Sequence, residues 1–216
     1  MTLGELLQIV RKDMLRDVEK PYLWSDDLLR VFLNEAQDQF ARRTHCLIDE
    51  ESSFTELETE VGEQVYRLDP RVVFLYAIYN DDGRPLRDGP RRQMPIQPGE
   101  AKPTAFTCDT STGRLRLYPA PDDVYTLYLR VARKPLQPLV NDDDVPEINE
   151  EYHLALCDWV VYRALRNNDI EAVQMTPADT FRASWELSVR DAKRDVVRMN
   201  AGHSARVLTN WTKKVR

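Results

Sequence analysis

Residues 149–167 read NEEYHLALCDWVVYRALRN. Asn149 is a residue type that caps helix N-termini, because its side chain accepts from an otherwise unpaired N–H. The acids after it, Glu150 and Glu151, suit the positive end of the helix dipole. Beyond them Leu154, Ala155, Leu156, Cys157, Trp159, Val160, Val161, Ala164 and Leu165 cover most of a helical circumference. A helix apolar nearly all round is buried at the centre of a bundle. Three more helices are needed to surround it, and the sequence supplies them.

The first helix is predicted over Leu3–Val18, with Leu3, Leu6, Leu7, Val10, Met14 and Val18 on one stripe. Thr2 and Glu5 stand at capping-box spacing, and Pro21 ends the segment. The second begins at Ser25, with Asp26 and Asp27 in its first turn and Trp24 placed to staple onto Leu29. It buries Leu28, Leu29, Phe32, Leu33, Ala36 and Phe40 and fades near Arg43. The fourth opens with Thr176-Pro177, carries Phe181, Trp185, Val189, Ala192, Val196 and Met199 on one stripe, and is predicted to stop at Asn200–Gly202. Phe32, Trp159 and Trp185 are the candidate core contacts that join these helices.

Between the second and third helices the period changes to two. Phe54–Val61, Gln64–Leu68, Val72–Asn80, Thr104–Cys108, Arg114–Tyr118 and Val124–Arg133 read as short strands, and the turn after Asp109 makes a hairpin. They predict one small, mostly antiparallel sheet, with Phe54–Val61 as its edge strand or an extended arm. Within this region the stretch 81–103, DDGRPLRDGPRRQMPIQPGEAKP, contains five prolines and three glycines and predicts a long projecting loop. The fold class is therefore α+β. Helices at 1–50 and 149–201 form one domain, a β-region at 51–140 is inserted between the second and third helices, and an extended tail occupies 202–216.

Composition sets limits on function. With 42% hydrophobic and 31% charged residues in 216, the chain has the usage of an ordinary globular protein. No apolar run has the length of a membrane span. The N-terminus mixes charges among its leucines, unlike a signal peptide, so synthesis in a cytoplasm is expected. Cys46, Cys108 and Cys157 are few and scattered, and read as free thiols. The net charge of −6 is unevenly spread: residues 201–216 hold Arg206, Lys213, Lys214 and Arg216 with no acid, which leaves +4 on the tail and −10 before it. An acidic body is a poor wrapper of nucleic acid. A basic tail carrying Val207, Leu208 and Trp211 suits a docking segment.

Sets of residues that could carry chemistry are incomplete. Glu150 and His153 have the Glu-x-x-His spacing of di-iron bundles, but such sites use the motif twice with two further glutamates. His153 with Cys157, and His45 with Cys46, lack the further ligands a metal needs. Asp142, Asp143 and Asp144 lack the glycine and spacing of a calcium loop and read as a solvated linker. Phosphate-binding glycine loops and a nucleophile elbow are missing from the sequence. Arg84, Arg87, Arg91 and Arg92 of the long loop are candidate contacts to a phosphate backbone, with Asp81, Asp82 and Asp88 offsetting much of their charge. The expectation is a protein without catalysis, metal or cofactor.

Three stretches resemble the head-to-tail adaptor (connector) proteins of tailed bacteriophages: LWSDDLLRVFLNEAQDQFARRT at 23–44, VPEINEEYHLALCDWVVYRALRNNDIEA at 145–172 and TFRASWELSVRDAKRDVV at 180–197. Together they span about half the chain. The resemblance implies a virion protein of the neck, made in the bacterial host and unattached to membrane. Its copies form a ring, usually a dodecamer, beneath the portal. The helices build the ring, the C-terminal segment docks into the portal, and the sheet and loops face the next tail or neck component. Double-stranded DNA passes through the channel without specific binding, and acidic walls let it slide. Two other classes remain open. A small-ligand-binding or regulatory module would hold an enclosed apolar pocket. A hydrolase or nuclease would converge Asp142, Asp144 and Glu147 on a divalent ion.

Overall fold

The computed structural model describes residues 1–89, 99–167 and 175–212, with backbone alone for 167, 175–177 and 201–212. The chain divides into two compact units, Met1–Cys46 with Pro135–Arg216, and Leu47–Lys134.

The first unit is helical. Helix α1, Leu3–Gln8, starts on a capping box in which Thr2 and Glu5 each accept the other's backbone N–H. It does not continue as an α-helix to Val18. A π-helical segment, Ile9–Leu15, follows and ends on Arg16 in the left-handed region (φ 55°). The wider turn brings Arg11 inward, and Val18, beyond the break, is 59% exposed. Helix α2, Asp26–Thr44, is capped by Ser25, whose Oγ accepts from Leu28 N–H, and ends on His45 in the left-handed region. Asn149 caps a 3₁₀ turn, Glu150–Tyr152, which leads into α3, His153–Asn167. Helix α4 runs Met175–Thr212. It passes through Asn200–Gly202, where a stop was expected. A glycine inside a helix costs only ~1 kcal/mol relative to alanine, too little by itself to end one.

The predicted centre of the bundle is buried: Leu156, Cys157, Val160, Val161 and Ala164 of α3 are all sealed from solvent. Trp185 of α4 is also fully buried and stands 5.1 Å from the half-buried Trp159. The aromatic link to α2 runs through Phe40, 5.4 Å from Trp185 in an edge-on arrangement, and not through Phe32. Phe32 is 4% exposed and sits under the Arg163 guanidinium at 5.1 Å. Phe32 lies about two turns before Phe40 on α2, where it meets Arg163 in the C-terminal half of α3. Trp24 is anchored by donating from Nε1 to the Ala164 carbonyl, 2.9 Å away.

Among the described residues the second unit has eight strands in two four-stranded sheets, where one sheet was expected. In the first, β8 (Thr126–Arg133) is central. It pairs antiparallel with β4 (Val72–Tyr79) on one edge and, in succession, with β1 (Ile48–Asp49) and β2 (Glu56–Glu58) on the other. The second has the order β3 (Val65–Arg67), β7 (Arg114–Tyr118), β6 (Ala105–Asp109), β5 (Arg87–Asp88). The β6–β7 hairpin forms where predicted. Asp109 accepts from the Ser111 N–H and from the Ser111 and Thr112 hydroxyls, and Gly113 supplies the left-handed residue (φ 64°). The alternation of both sheets converges on one core that includes Leu75, Ile78, Phe106, Leu115, Leu117 and Leu129.

The stretch 81–103 is less irregular than its prolines suggest. Leu86 is buried, β5 pairs parallel with β6, and Glu100 bridges to Ala120. Arg91 and Arg92 lie outside the described residues.

Candidate partner-docking surfaces

The buried stripe of α4 reaches Val196, and Met199, expected on the same stripe, is exposed. Val196 is 5% exposed, whereas Val197 and Met199 are 59% and 66% exposed. Expected tail anchors Arg206, Val207, Leu208 and Trp211 stand on helical backbone, and their side chains fall outside the description; Lys213, Lys214 and Arg216 lie beyond the described residues altogether. The segment is thus a continuation of α4 to Thr212 where an extended tail was expected.

A groove of about 860 Å³ lies between the end of α2 and α4. Arg42, Arg43, His45, Arg190 and Lys193 rim it, and Ala183, Leu187 and Val189 supply apolar surface. Its acid, Glu186, is bound by both Arg43 Nη atoms, which holds the glutamate below the ordinary carboxylate range. Burial lowers the His45 pKa, and Lys193 lowers it further, so the imidazole is biased toward neutrality. Sequence reasoning did not find this site. Its signal is the Arg42-Arg43 pair at the end of one helix and Arg190 with Lys193 one turn apart on another, which only tertiary packing brings together.

In the long loop, Arg84 is exposed, and its N–H donates to the Asn80 side chain at 2.8 Å. Arg87 belongs to β5. Asp81 and Asp82, the loop acids set against these arginines, both contact Lys102 Nζ, at 2.6 and 3.3 Å.

The linker acids Asp142, Asp143 and Glu147 are exposed, as expected of a solvated linker, while the linker's backbone also serves α1. Backbone carbonyls of Asp144 and Asp142 accept from the N–H groups of Leu3 (2.7 Å) and Gly4 (2.9 Å), which satisfies the open donors of α1. A side chain at position 4 would meet Asp142 Cβ at 3.1 Å, so glycine allows this close approach. The Asp144 carboxylate accepts from the Val140 and Asn141 N–H groups, and Glu147 accepts from Leu136 N–H. These carboxylates brace a turn rather than converge on one point. His153 is buried and donates from Nε2 to the Ile148 carbonyl at 2.8 Å, while Glu150 pairs with the terminal amine. Burial pushes the Cys157 thiol up to about 12. Among the described residues no helix is long and apolar enough to cross a membrane.

No curated protein matches the chain. The family model described as SU10 adaptor protein matches residues 1–208, which takes in both units and the backbone of the C-terminal helix. The match spans all three stretches that carry the resemblance, and the chain belongs to the SU10 adaptor protein family, a family of phage head–tail adaptors.

Proposed function

We propose that this adaptor forms a homo-oligomeric ring, a dodecamer, between the portal and the tail at the neck of the virion, and that double-stranded DNA passes through it without specific binding. The observation that carries the reading is the family match over residues 1–208. The charge split supports it. A body of net −10 repels the phosphate backbone and lets DNA slide, while a +4 C-terminal segment is drawn to acidic surfaces. In this reading the helical unit builds the ring, the sheet unit faces the next tail or neck protein, and 202–216 docks into the portal. The function is mechanical and electrostatic, without turnover.

Residues Val207, Leu208 and Trp211 are the apolar anchors of that docking, and Arg206, Lys213, Lys214 and Arg216 steer it. Deletion of residues 203–216 tests the assignment by co-sedimentation with portal rings. The truncated protein is expected to melt at nearly the full-length temperature and to lose attachment. Full attachment after truncation, or collapse of the fold, would contradict the docking role.

A further inference from the structure

The two sheets of Leu47–Lys134 share one apolar core, so their outer faces look away from one another. Strand register fixes what each outer face carries, because residues paired across a ladder point the same way.

On the β3-β7-β6-β5 sheet, Tyr66, Leu115, Leu117 and Phe106 point inward. Arg67 pairs with Arg114, Arg116 pairs with Val65 and Thr107, and Arg87 pairs with Ala105, all on the opposite side. Four arginines therefore lie on one outer face, in three rows. Arg67, Arg87 and Arg114 are exposed and Arg116 half-buried. Arg116 donates to the Gln64 side chain, and the row's acid, Asp109, is occupied by Ser111 and Thr112. On the other sheet, Leu57, Leu127, Leu129 and Val131 point inward, while Glu56 pairs with Tyr128, Glu58 with Thr126 and Tyr79 with Tyr128 on the outer side. Glu56 and Glu58 are exposed, and Tyr128 is 42% exposed. Arg130, the basic residue of this face, is bound to Glu50 at 3.0 Å. One outer face is thus arginine-rich and the other acidic and aromatic.

We infer that these two faces recognise each other between successive copies of this chain, the arginine face of one subunit meeting the Glu56, Glu58 and Tyr128 face of the next. Like charge on each face opposes a two-fold contact of a face with itself, so the pairing is head-to-tail, the type of interface that closes into a ring. Residues two apart on a strand are about 7 Å apart and neighbouring strands about 5 Å apart, so Glu56 and Glu58 match the spacing of Arg114 and Arg116. Tyr128 offers a ring face to a guanidinium between them. The inference rests on the ring reading above and adds, to the helical contacts that build the ring, a sheet-to-sheet contact between neighbouring subunits within Leu47–Lys134.

The test uses two full-length double variants, Arg67→Glu/Arg114→Glu and Glu56→Arg/Glu58→Arg. Self-association is followed by sedimentation velocity at low and high salt, and ring occupancy by electron microscopy on portal rings. Each variant alone is expected to associate at least about tenfold more weakly than the wild type, since like charges now face each other. Mixed in equal amounts, the variants should assemble again in alternation, which a merely misfolded protein cannot do. Complete rings from either variant alone would overturn the interface and leave the ring reading intact. A wild-type chain that forms no ring on the portal would overturn both. Retention of duplex DNA by the wild type, lost in Arg67→Glu/Arg114→Glu, would assign the arginine face to phosphates and overturn the proposal.

Discussion

Replacing Arg11 with methionine removes the ionic centre of the π-helical segment. The Arg11 side chain is 9% exposed and the Asp17 side chain 8%, and they meet at 2.7 Å. Arg11 also donates to Asp26 at 2.6 Å and to the Trp24 carbonyl at 2.8 Å, and its guanidinium lies 4.0 Å from the centre of the Tyr22 ring. Breaking a buried ion pair from one side costs about 3–5 kcal/mol, because the remaining charge stays buried. Asp17 keeps two N–H donors, from Leu23 and Trp24, which places the cost toward the lower end of that range. The Asp26 contact, 57% exposed on the acid side, adds roughly 0–1 kcal/mol. The expected loss is about 3–4 kcal/mol, with a fall in melting temperature on the order of 10 °C. All four tryptophans lie outside Leu47–Lys134, so tryptophan fluorescence during urea unfolding reports on the helical unit. Arg11→Met/Asp17→Asn should recover much of the loss, since no buried charge is left unpaired. A loss below about 1 kcal/mol in the single variant, or an equal loss in the double variant, would refute the buried-pair account.

Trp185→Ala should destabilise the helical unit by about 3–5 kcal/mol, and Trp159→Ala by less, because Trp185 is fully enclosed and Trp159 is not; equal urea midpoints for the two variants would contradict this. Asp49 is buried, which alone would raise its pKa, but hydrogen bonds from Ser52, Glu51 and Arg133 hold it at about 2. A depressed carboxyl contributes stability above 3.8 that is lost as pH falls toward about 2, so circular dichroism melts should show an acid limb in that window that Asp49→Asn flattens. Cys157 is buried with its thiol pushed up to about 12, and Cys108 is held at about 11 by burial and by Asp88 and Asp109. Alkylation near neutral pH should therefore be slow in the native protein and become complete on unfolding, as mass spectrometry would count.

Local chemistry was legible wherever one residue decides one backbone group. The Thr2–Glu5 box, the Ser25 and Asn149 caps and the hairpin after Asp109 form at the predicted positions. What the sequence concealed depends on partners far along the chain. The inward turn of Arg11 needs Asp17 and Asp26 to receive it. The division into two sheets depends on β8 taking three partners, a choice that alternation alone does not encode. The pairing of β5 with β6 lies inside a proline-rich stretch whose composition argues against strands. Phe40 and Phe32 lie on the same stripe of α2, and only the placement of α4 selects Phe40 for Trp185. The acids at 142–144 read as solvated, and Asp142 and Asp143 are exposed, but the backbone carbonyls of Asp142 and Asp144 also accept from α1 more than a hundred residues away, which side-chain chemistry does not announce. The arginine face is invisible for the same reason: Arg67 and Arg114 become neighbours, and Arg87 joins their face, only through β-register.

The central claim is that this chain assembles as a ring on the portal. The most direct measurement is electron microscopy of the full-length protein mixed with portal rings of its phage, with class averages along the ring axis. The account predicts a coaxial ring of identical subunits beneath the portal, enclosing a channel wide enough for duplex DNA. Portal rings that remain bare at saturating protein, or that carry single copies bound off-axis, would contradict it.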